Sequence, residues 1–153
     1  MPDIVGSHNG SQVFVPVVLL SVDRFEHAPD PLRLSRPGAM QVVNALIDTG
    51  AQNTSITPSA AERLGLQPIG SVRVHGVGGA KLHLTYLFKI GLVDLRRNEM
   101  GLESPHIHMI DREITGAEFD CGPDASFDVL LGMDLLSIGT LTITNTGRYK
   151  ISF

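Results

Sequence analysis

The sequence predicts an all-β domain with one or two short helices. Short segments rich in valine, isoleucine and leucine recur along the chain between glycine, proline and asparagine, which is typical of strands joined by turns. Helix signals occur in only two short segments. Two apolar runs, residues 45–51 and 127–136, each lead into a glycine and resemble one another, which indicates two similar half-domains.

Length and composition describe one ordinary globular domain. The chain has 153 residues, of which 42% are apolar and 18% charged, enough for a hydrophobic core. We expect residues 1–153 to form a single domain, with residues 1–11 flexible and residues 92–126 an insertion. The formal net charge of −4 leaves no basic surface, so we expect no nucleic-acid partner.

Cysteine content and hydropathy indicate the cellular compartment of the protein. The single cysteine, Cys121, cannot form an internal disulfide, which fits a reducing environment. The apolar residues 13–22 contain Pro16 and follow no positively charged segment, so we interpret them as a strand. We therefore expect a cytoplasmic protein with no signal peptide and no membrane partner.

The first half of the chain has clear element boundaries. Valine-rich residues 12–23 predict a strand, and three prolines predict a long loop over residues 27–38. Residues 40–47 predict the next strand. Thr57 is a favourable N-cap and Pro58 suits the first helical position, so a short helix begins there and ends near residue 65.

The second half begins with a hairpin and then becomes hard to interpret. Residues 66–75 and 81–90 flank a glycine-rich turn and predict a β-hairpin. Between residues 94 and 126, only residues 105–110 predict a strand. A short helix is expected over residues 132–137. Two further strands, residues 141–145 and 148–153, surround an Asn-Thr-Gly turn.

Asp48 is the most informative residue, because it ends a predicted buried strand and is followed by Thr49 and Gly50. Burying an ionised carboxylate is costly, and perturbed carboxylates are candidates for acid–base chemistry. A carboxylate can activate water to attack an amide, but the carbonyl and the leaving nitrogen also need an acid. Two carboxyl groups about 3 Å apart serve both purposes, because they cannot both ionise.

The number of such motifs predicts an assembly. Asp-Thr-Gly occurs once and Asp-Ser-Gly does not occur. The second carboxyl group must then come from a second subunit. The sequence therefore predicts a two-fold homodimer to which each protomer contributes one Asp48.

These motifs resemble those of retropepsin-type aspartic proteases, the single-domain family that includes the retroviral proteases. In that family a hydrophobic pair precedes Asp-[Ser/Thr]-Gly-Ala, a glycine-rich flap follows, and two hydrophobic residues and a glycine lead into a helix. The matching segments here are residues 46–51, 76–79 and 130–132, in the same order. The resemblance covers roughly residues 13–153 and is weak over residues 92–126.

The resemblance implies a fold, an activity and roles for particular residues. The fold is a closed, barrel-like half-pepsin domain that is active as a homodimer. The activity is aspartic endopeptidase, in which a water held between two Asp48 carboxylates hydrolyses the peptide bond without cofactor or metal. Thr49, Gly50 and Ala51 support the active-site loop, and the two Thr49 hydroxyls hydrogen-bond across the dimer axis. An extended peptide substrate is bound by the flap and the floor, through Gly76, Val77, Gly78, Gly79 and Leu130.

The chain departs from the viral pattern at two linked positions. Viral members have an acid and an arginine that pair where this chain has Gln52 and Met133. Since both charges are missing, we expect a repacked contact at this place. At the flap tip, we expect Gly78 to adopt a positive φ, which a β-branched residue could not adopt without strain.

Two other interpretations of the sequence remain open. The same scaffold could be a catalytically silent module that dimerises or binds peptides, because fold does not determine function. Alternatively, His106 and His108 share one face of a predicted strand and could bind a cation together with Asp111.

Overall fold

The computed structural model describes residues 3–22, 40–97, 100–101 and 103–153. The loop predicted over residues 27–38 lies outside the described residues. The elements in this part of the chain are β1 (Asp3–Ser7), β2 (Phe14–Ser21), β3 (Met40–Ile47), β4 (Ser55–Ile56), α1 (Pro58–Arg63), β5 (Gly70–Gly76), β6 (Gly79–Arg97), β7 (Glu103–Glu118), β8 (Val129–Leu131), α2 (Met133–Leu136), β9 (Thr140–Ile143) and β10 (Arg148–Ser152).

The described strands form two sheets. The larger sheet has seven strands in the order β2-β3-β8-β4-β7-β6-β5, and β2 also pairs with β6. The smaller sheet has the order β1-β10-β9. Helices α1 and α2 are only six and four residues long, so the prediction of an all-β domain with short helices is confirmed.

The core lies on the inner face of the larger sheet. On β2, Val15, Val17 and Leu19 are each fully buried, and they belong to one hydrophobic cluster with Phe88 and Ile90 of β6. Alternate residues of a strand share a face, so the valine-rich pattern of β2 places these side chains together. Removing this apolar surface from water is the main source of stability.

Most predicted elements are confirmed. Strands β2 and β3 lie within or match the predicted ranges, and the β5–β6 hairpin, α2, β9 and β10 lie where the sequence placed them. The side chain of Thr57 accepts a hydrogen bond from the backbone N–H of Ala60, and Pro58 is the first residue of α1. The predicted N-cap of this helix is therefore confirmed.

Within residues 1–11, for which the sequence predicted flexibility and no strand, residues 3–7 form β1 and pair antiparallel with β10. Asp3 accepts a hydrogen bond from the Ser152 hydroxyl at 2.6 Å and forms an ion pair with Lys150 at 2.8 Å. These partners lie at the other end of the sequence, so nothing near Asp3 in the chain indicated the strand.

Strand β7 is much longer than the predicted residues 105–110, since it covers Glu103–Glu118 and pairs with β6 along most of its length. The register shifts between Lys89 and Gly91. Such an irregularity breaks the regular alternation of apolar and polar residues by which strands are predicted. Cross-strand pairing, rather than local pattern, determines the extent of β7.

Tyr149 of β10 tests the contact between the two sheets, because it belongs to the same hydrophobic cluster as Phe88 and Ile90 of β6. Its ring is 3% exposed and occupies the space beside Gly6, where an added Cβ would lie 2.4 Å from Tyr149 Cζ. Burial, followed by the charge of Asp94, raises the pKa of Tyr149 to about 12.

We expect the free energy of unfolding to fall as pH rises from about 10 to about 12, because the folded state resists ionising this phenol while the unfolded chain does not. Below pH 10 both states are protonated and the effect is absent. Urea denaturation at several alkaline pH values checks this for the wild type and for Tyr149→Phe. An equal loss of stability in both proteins would contradict the assignment to Tyr149.

Candidate active site

The two apolar runs of the sequence are neighbouring parallel strands. In the ladder between β3 and β8, Leu46 pairs with Leu130 and Ile47 pairs with Leu131. The backbone N–H of Asp48 then donates to the Leu131 carbonyl at 3.0 Å. The runs therefore end at the same level, and Asp48 follows directly.

Asp48 is held by its own loop. Its side chain is half-buried, and Oδ1 accepts the backbone N–H of Gly50 at 2.9 Å. The N–H of Ala51 donates to the Asp48 carbonyl at 3.2 Å. A carboxylate that accepts a backbone N–H two residues on fixes a tight turn. Oδ2 has no hydrogen-bond partner among the described residues, so it is free to hold water.

Thr49 lies at the surface of the same loop. Both Thr49 and Gly50 are exposed, and the Thr49 hydroxyl makes no hydrogen bond within the described part of the chain. Leu130, on the adjacent strand, is half-buried. The structure thus brings together the predicted residues Asp48, Thr49, Gly50 and Ala51, with Leu130 beside them.

A buried polar network connects this loop to the loop after β8. Thr54 is fully buried, and both its N–H and its hydroxyl donate to Asp134 Oδ1, at 2.9 and 2.7 Å. The Thr54 oxygen in turn accepts the N–H of Gly132 at 3.2 Å. A third donor to Oδ1 is the N–H of Leu135, at 2.9 Å. The N–H and the hydroxyl of Thr54 are therefore both paired although the residue is buried.

The repacked contact expected at Gln52 and Met133 is made by the backbone. The N–H of Met133 donates to the Ala51 carbonyl at 2.8 Å, and the N–H of Asp134 donates to the Gln52 carbonyl at 3.0 Å. The guanidinium of Arg112 donates to the Asp134 carbonyl. Backbone hydrogen bonds thus join the two loops where viral members use an ion pair.

Helix α1 is fixed to the start of β8 from the other side. The Thr57 hydroxyl donates to Asp128 Oδ1 at 2.7 Å, and Arg63 pairs with Asp128 Oδ2 at 2.9 Å. The Thr57 N–H also donates to the Asp128 carbonyl, at 2.9 Å. A charge-assisted pair with this added backbone bond holds the helix against the strand that carries Leu130.

The predicted flap is an exposed hairpin tip. Gly76 and Gly79 are paired across the ladder, so Val77 and Gly78 form the turn, and Val77 is fully exposed. The expectation of a positive φ at Gly78 is wrong: Gly79 has the positive φ, at 98°. The special conformation belongs to the first residue of the returning strand, and a sequence with glycine at both positions could not distinguish them.

Two further expectations concern metals and membranes. Within the described ranges, no group of three His, Cys, Asp or Glu side chains could hold a metal ion. His108 Nε2 is buried there without a hydrogen-bond partner, while His106 is exposed. Of the helices in the described part of the chain, none has the length and apolar character needed to cross a membrane.

Together, the mostly β architecture, the paired hydrophobic-to-glycine loops and the glycine-rich hairpin define a retropepsin-like fold. A family model described as aspartyl protease matches residues 38–135. This match spans more than half of the sequence, and the chain belongs to the aspartyl protease family.

A solved structure shows the same fold. The crystal structure of a retropepsin-like aspartic protease from Rickettsia conorii is similar over 98% of this chain and 89% of that chain, with a TM-score of 0.52 and 16% identity. The retroviral protease-like domain of Ddi1 from Leishmania major covers 88% of this chain and 82% of its own, with a TM-score of 0.40 and 17% identity. A search of curated proteins found no match.

Sequence reasoning missed Thr54 and Asp134. A signal was present, because Asp134 is an acid inside an otherwise apolar run and Thr54 precedes the short strand β4. An acid in such a place needs a partner. The partner lies 80 residues away in sequence, so it could not be named without the fold.

Thr54→Val tests the network that supports the active-site loop. Valine keeps the shape but leaves the buried Gly132 N–H without its acceptor, which costs about 1–3 kcal/mol of stability. Urea denaturation measures the loss. The matched control is Thr142→Val on the exposed face of β9, where we expect a change within about 0.5 kcal/mol. Equal effects at the two positions would contradict a supporting role for Thr54.

Proposed function

We propose that this chain is an aspartic endopeptidase whose active site forms when two copies bring their Asp48 carboxylates together. One observation carries the proposal: a half-buried Asp48 stands where β3 and β8 end side by side, with one oxygen held by Gly50 and the other unpaired among the described residues. This arrangement presents half of an acid–base pair.

The second apolar run, which lies within the described residues, does not supply the other half. The run that pairs with the Asp48 strand reaches Gly132 without an acid at the corresponding place. The nearby Asp134 accepts three hydrogen bonds on Oδ1, and this fixes it as a structural acceptor. A second Asp48, from a second copy related by a two-fold axis, supplies the missing carboxyl group.

The chemistry follows from one proton shared between two carboxyl groups. The ionised Asp48 takes a proton from the water, whose oxygen attacks the carbonyl carbon, while the protonated Asp48 donates to the carbonyl oxygen. The C–N bond then breaks as the nitrogen receives a proton. The products are a carboxylic acid and an amine, and no covalent intermediate with the enzyme is formed.

The neighbouring residues support this dyad. Thr49 is exposed beside Asp48, so its hydroxyl is available to its counterpart across the two-fold axis. Backbone hydrogen bonds to the loop after β8 hold the Asp48 loop in place. They keep the carboxylate oriented without using its Oδ2. Pairing of β2 with β6 supports a closed, barrel-like form of the sheet.

The substrate in this proposal is an extended peptide. The peptide lies between the β5–β6 hairpin and the strand β8 that contains Leu130. It pairs as an added strand with exposed backbone N–H and C=O groups. The hairpin tip makes no hydrogen bond to the Asp48 loop within the described residues, so it can open and close over the peptide. Residence in the cytoplasm stays a prediction from the sequence.

Asp48→Asn is expected to abolish peptide hydrolysis and to leave fold and dimerisation intact. Asparagine has the same shape and can still accept the Gly50 N–H, but it can neither take nor give the proton. Cleavage of a peptide library, with sedimentation to follow the dimer, measures both properties. Near wild-type cleavage by the variant would end the aspartic-protease proposal.

Mixing the wild type with Asp48→Asn distinguishes an active site shared by two chains from one that is complete in a single chain. If each active site needs two Asp48 residues, excess Asp48→Asn should suppress wild-type turnover by forming mixed dimers. Bovine serum albumin at the same concentration is the control for crowding. Unchanged turnover in the mixture, or a fully active monomer, would show that each chain has a complete site.

The hairpin tip offers a matched pair of variants. Gly79→Val forces a β-branched residue to a positive φ, with roughly 1–3 kcal/mol of strain, so we expect turnover to slow about tenfold. Gly78→Val is the control, because its φ is not positive and a Cβ there meets no atom within 4 Å. Both sites are exposed, so global stability should change little. Equal kcat/KM for the two variants would mean that the hairpin does not close over substrate.

A further inference from the structure

The hairpin that carries the tip protrudes from the sheet as a two-stranded ribbon, here defined as residues 70–84. From its base, where Gly70 stands opposite Thr85, β5 pairs with β6 as far as Gly76 opposite Gly79. Strand β7 joins β6 only from Thr85 onward. Residues 71–80 are all exposed, so the side chains of the ribbon are available to a ligand.

The ribbon is positively charged in an acidic protein. Its sequence contains Arg73, His75, Lys81 and His83 and no aspartate or glutamate, whereas the chain as a whole has a formal charge of −4. Within the described part of the chain, neither Arg73 nor Lys81 forms an ion pair or a side-chain hydrogen bond. Glu118 lies at the base of the ribbon and accepts the backbone N–H of Leu84 at 3.2 Å.

Both faces of the ribbon present a cation. Residues directly opposite in an antiparallel pair share a face, and successive residues alternate. Arg73 stands opposite Leu82, and on the other face Lys81 stands opposite Val74. Each face therefore offers one full positive charge beside an apolar side chain, whichever face lies over a bound peptide.

We propose that the ribbon selects peptide substrates that carry an aspartate or glutamate near the scissile bond. This inference rests on the proposed endopeptidase function. A carboxylate on the substrate would pair with Arg73 or Lys81, which have no carboxylate partner in the described chain, and arginine suits it through two parallel N–H donors. A polyanion such as nucleic acid is disfavoured, because the net negative charge of the whole chain opposes it.

The test compares peptide pairs that differ only by glutamate or glutamine near the cleaved bond. We expect wild-type kcat/KM to favour the acidic peptide by roughly two- to fivefold, as exposed charge pairs allow. Of Arg73→Gln and Lys81→Gln, the variant on the face that lies over the peptide should reduce this ratio, and the double variant should bring it close to one. The preference should also shrink between about 0.1 M and 1 M salt, as the screening length falls from about 10 Å to 3 Å.

Lys89→Gln is the matched control. It removes the same charge from an exposed position of the same strand β6, outside the ribbon, so the ratio should remain at the wild-type value. A ratio near one in the wild type, or an equal reduction by Lys89→Gln, would overturn the inference.

A measurement of peptide binding distinguishes failure of this inference from failure of the proposed function. Fluorescence anisotropy of labelled acidic and neutral peptides with Asp48→Asn measures selection without catalysis. If the wild type cleaves no peptide while Asp48→Asn still prefers the acidic one, the endopeptidase proposal fails and the selectivity stands. If peptides are cleaved but bound and cleaved without regard to charge, only the selectivity fails.

Discussion

The close approach of the β8 loop to the active-site loop is the constraint on which the rest of the site depends. An added Cβ at Gly132 would lie 2.5 Å from the Asn53 carbonyl carbon, so only glycine allows this contact. At this separation the Gly132 N–H reaches Thr54, and Asp134 reaches both donors of Thr54. These contacts fix the loop that carries Asp48 to the loop that follows β8.

Hydrogen bonding is distributed unequally between support and chemistry. Oδ1 of Asp134 accepts three donors, whereas Oδ1 of Asp48 accepts one, and Oδ2 of each is unpaired among the described residues. The hydrogen bonds to Asp134 join the two loops and make them rigid. In the proposed function, Asp134 supports the loop and Asp48 carries out the reaction.

The well-packed part of the structure and the exposed ribbon are built on different strands. The floor is built on β3, β8 and α1 with buried side chains and an Arg63–Asp128 pair beneath it. The ribbon has exposed residues and two strands only, so few apolar contacts stabilise it. Elements that open and close for ligands come from such low-stability regions. The same exposure leaves the ribbon's positive charge available to a substrate.

The sequence by itself determined the elements with local signals: β3 ending just before Asp48, the helix capped by Thr57 and the glycine-rich hairpin. It also determined that each chain has one Asp-Thr-Gly. Tertiary structure alone decided that β1 pairs with β10, that β7 extends far beyond its apolar segment, and that Thr54 binds Asp134. The physical reason is distance along the chain. Caps and turns depend on neighbouring residues, whereas these contacts join groups that are brought together only when the sheets form.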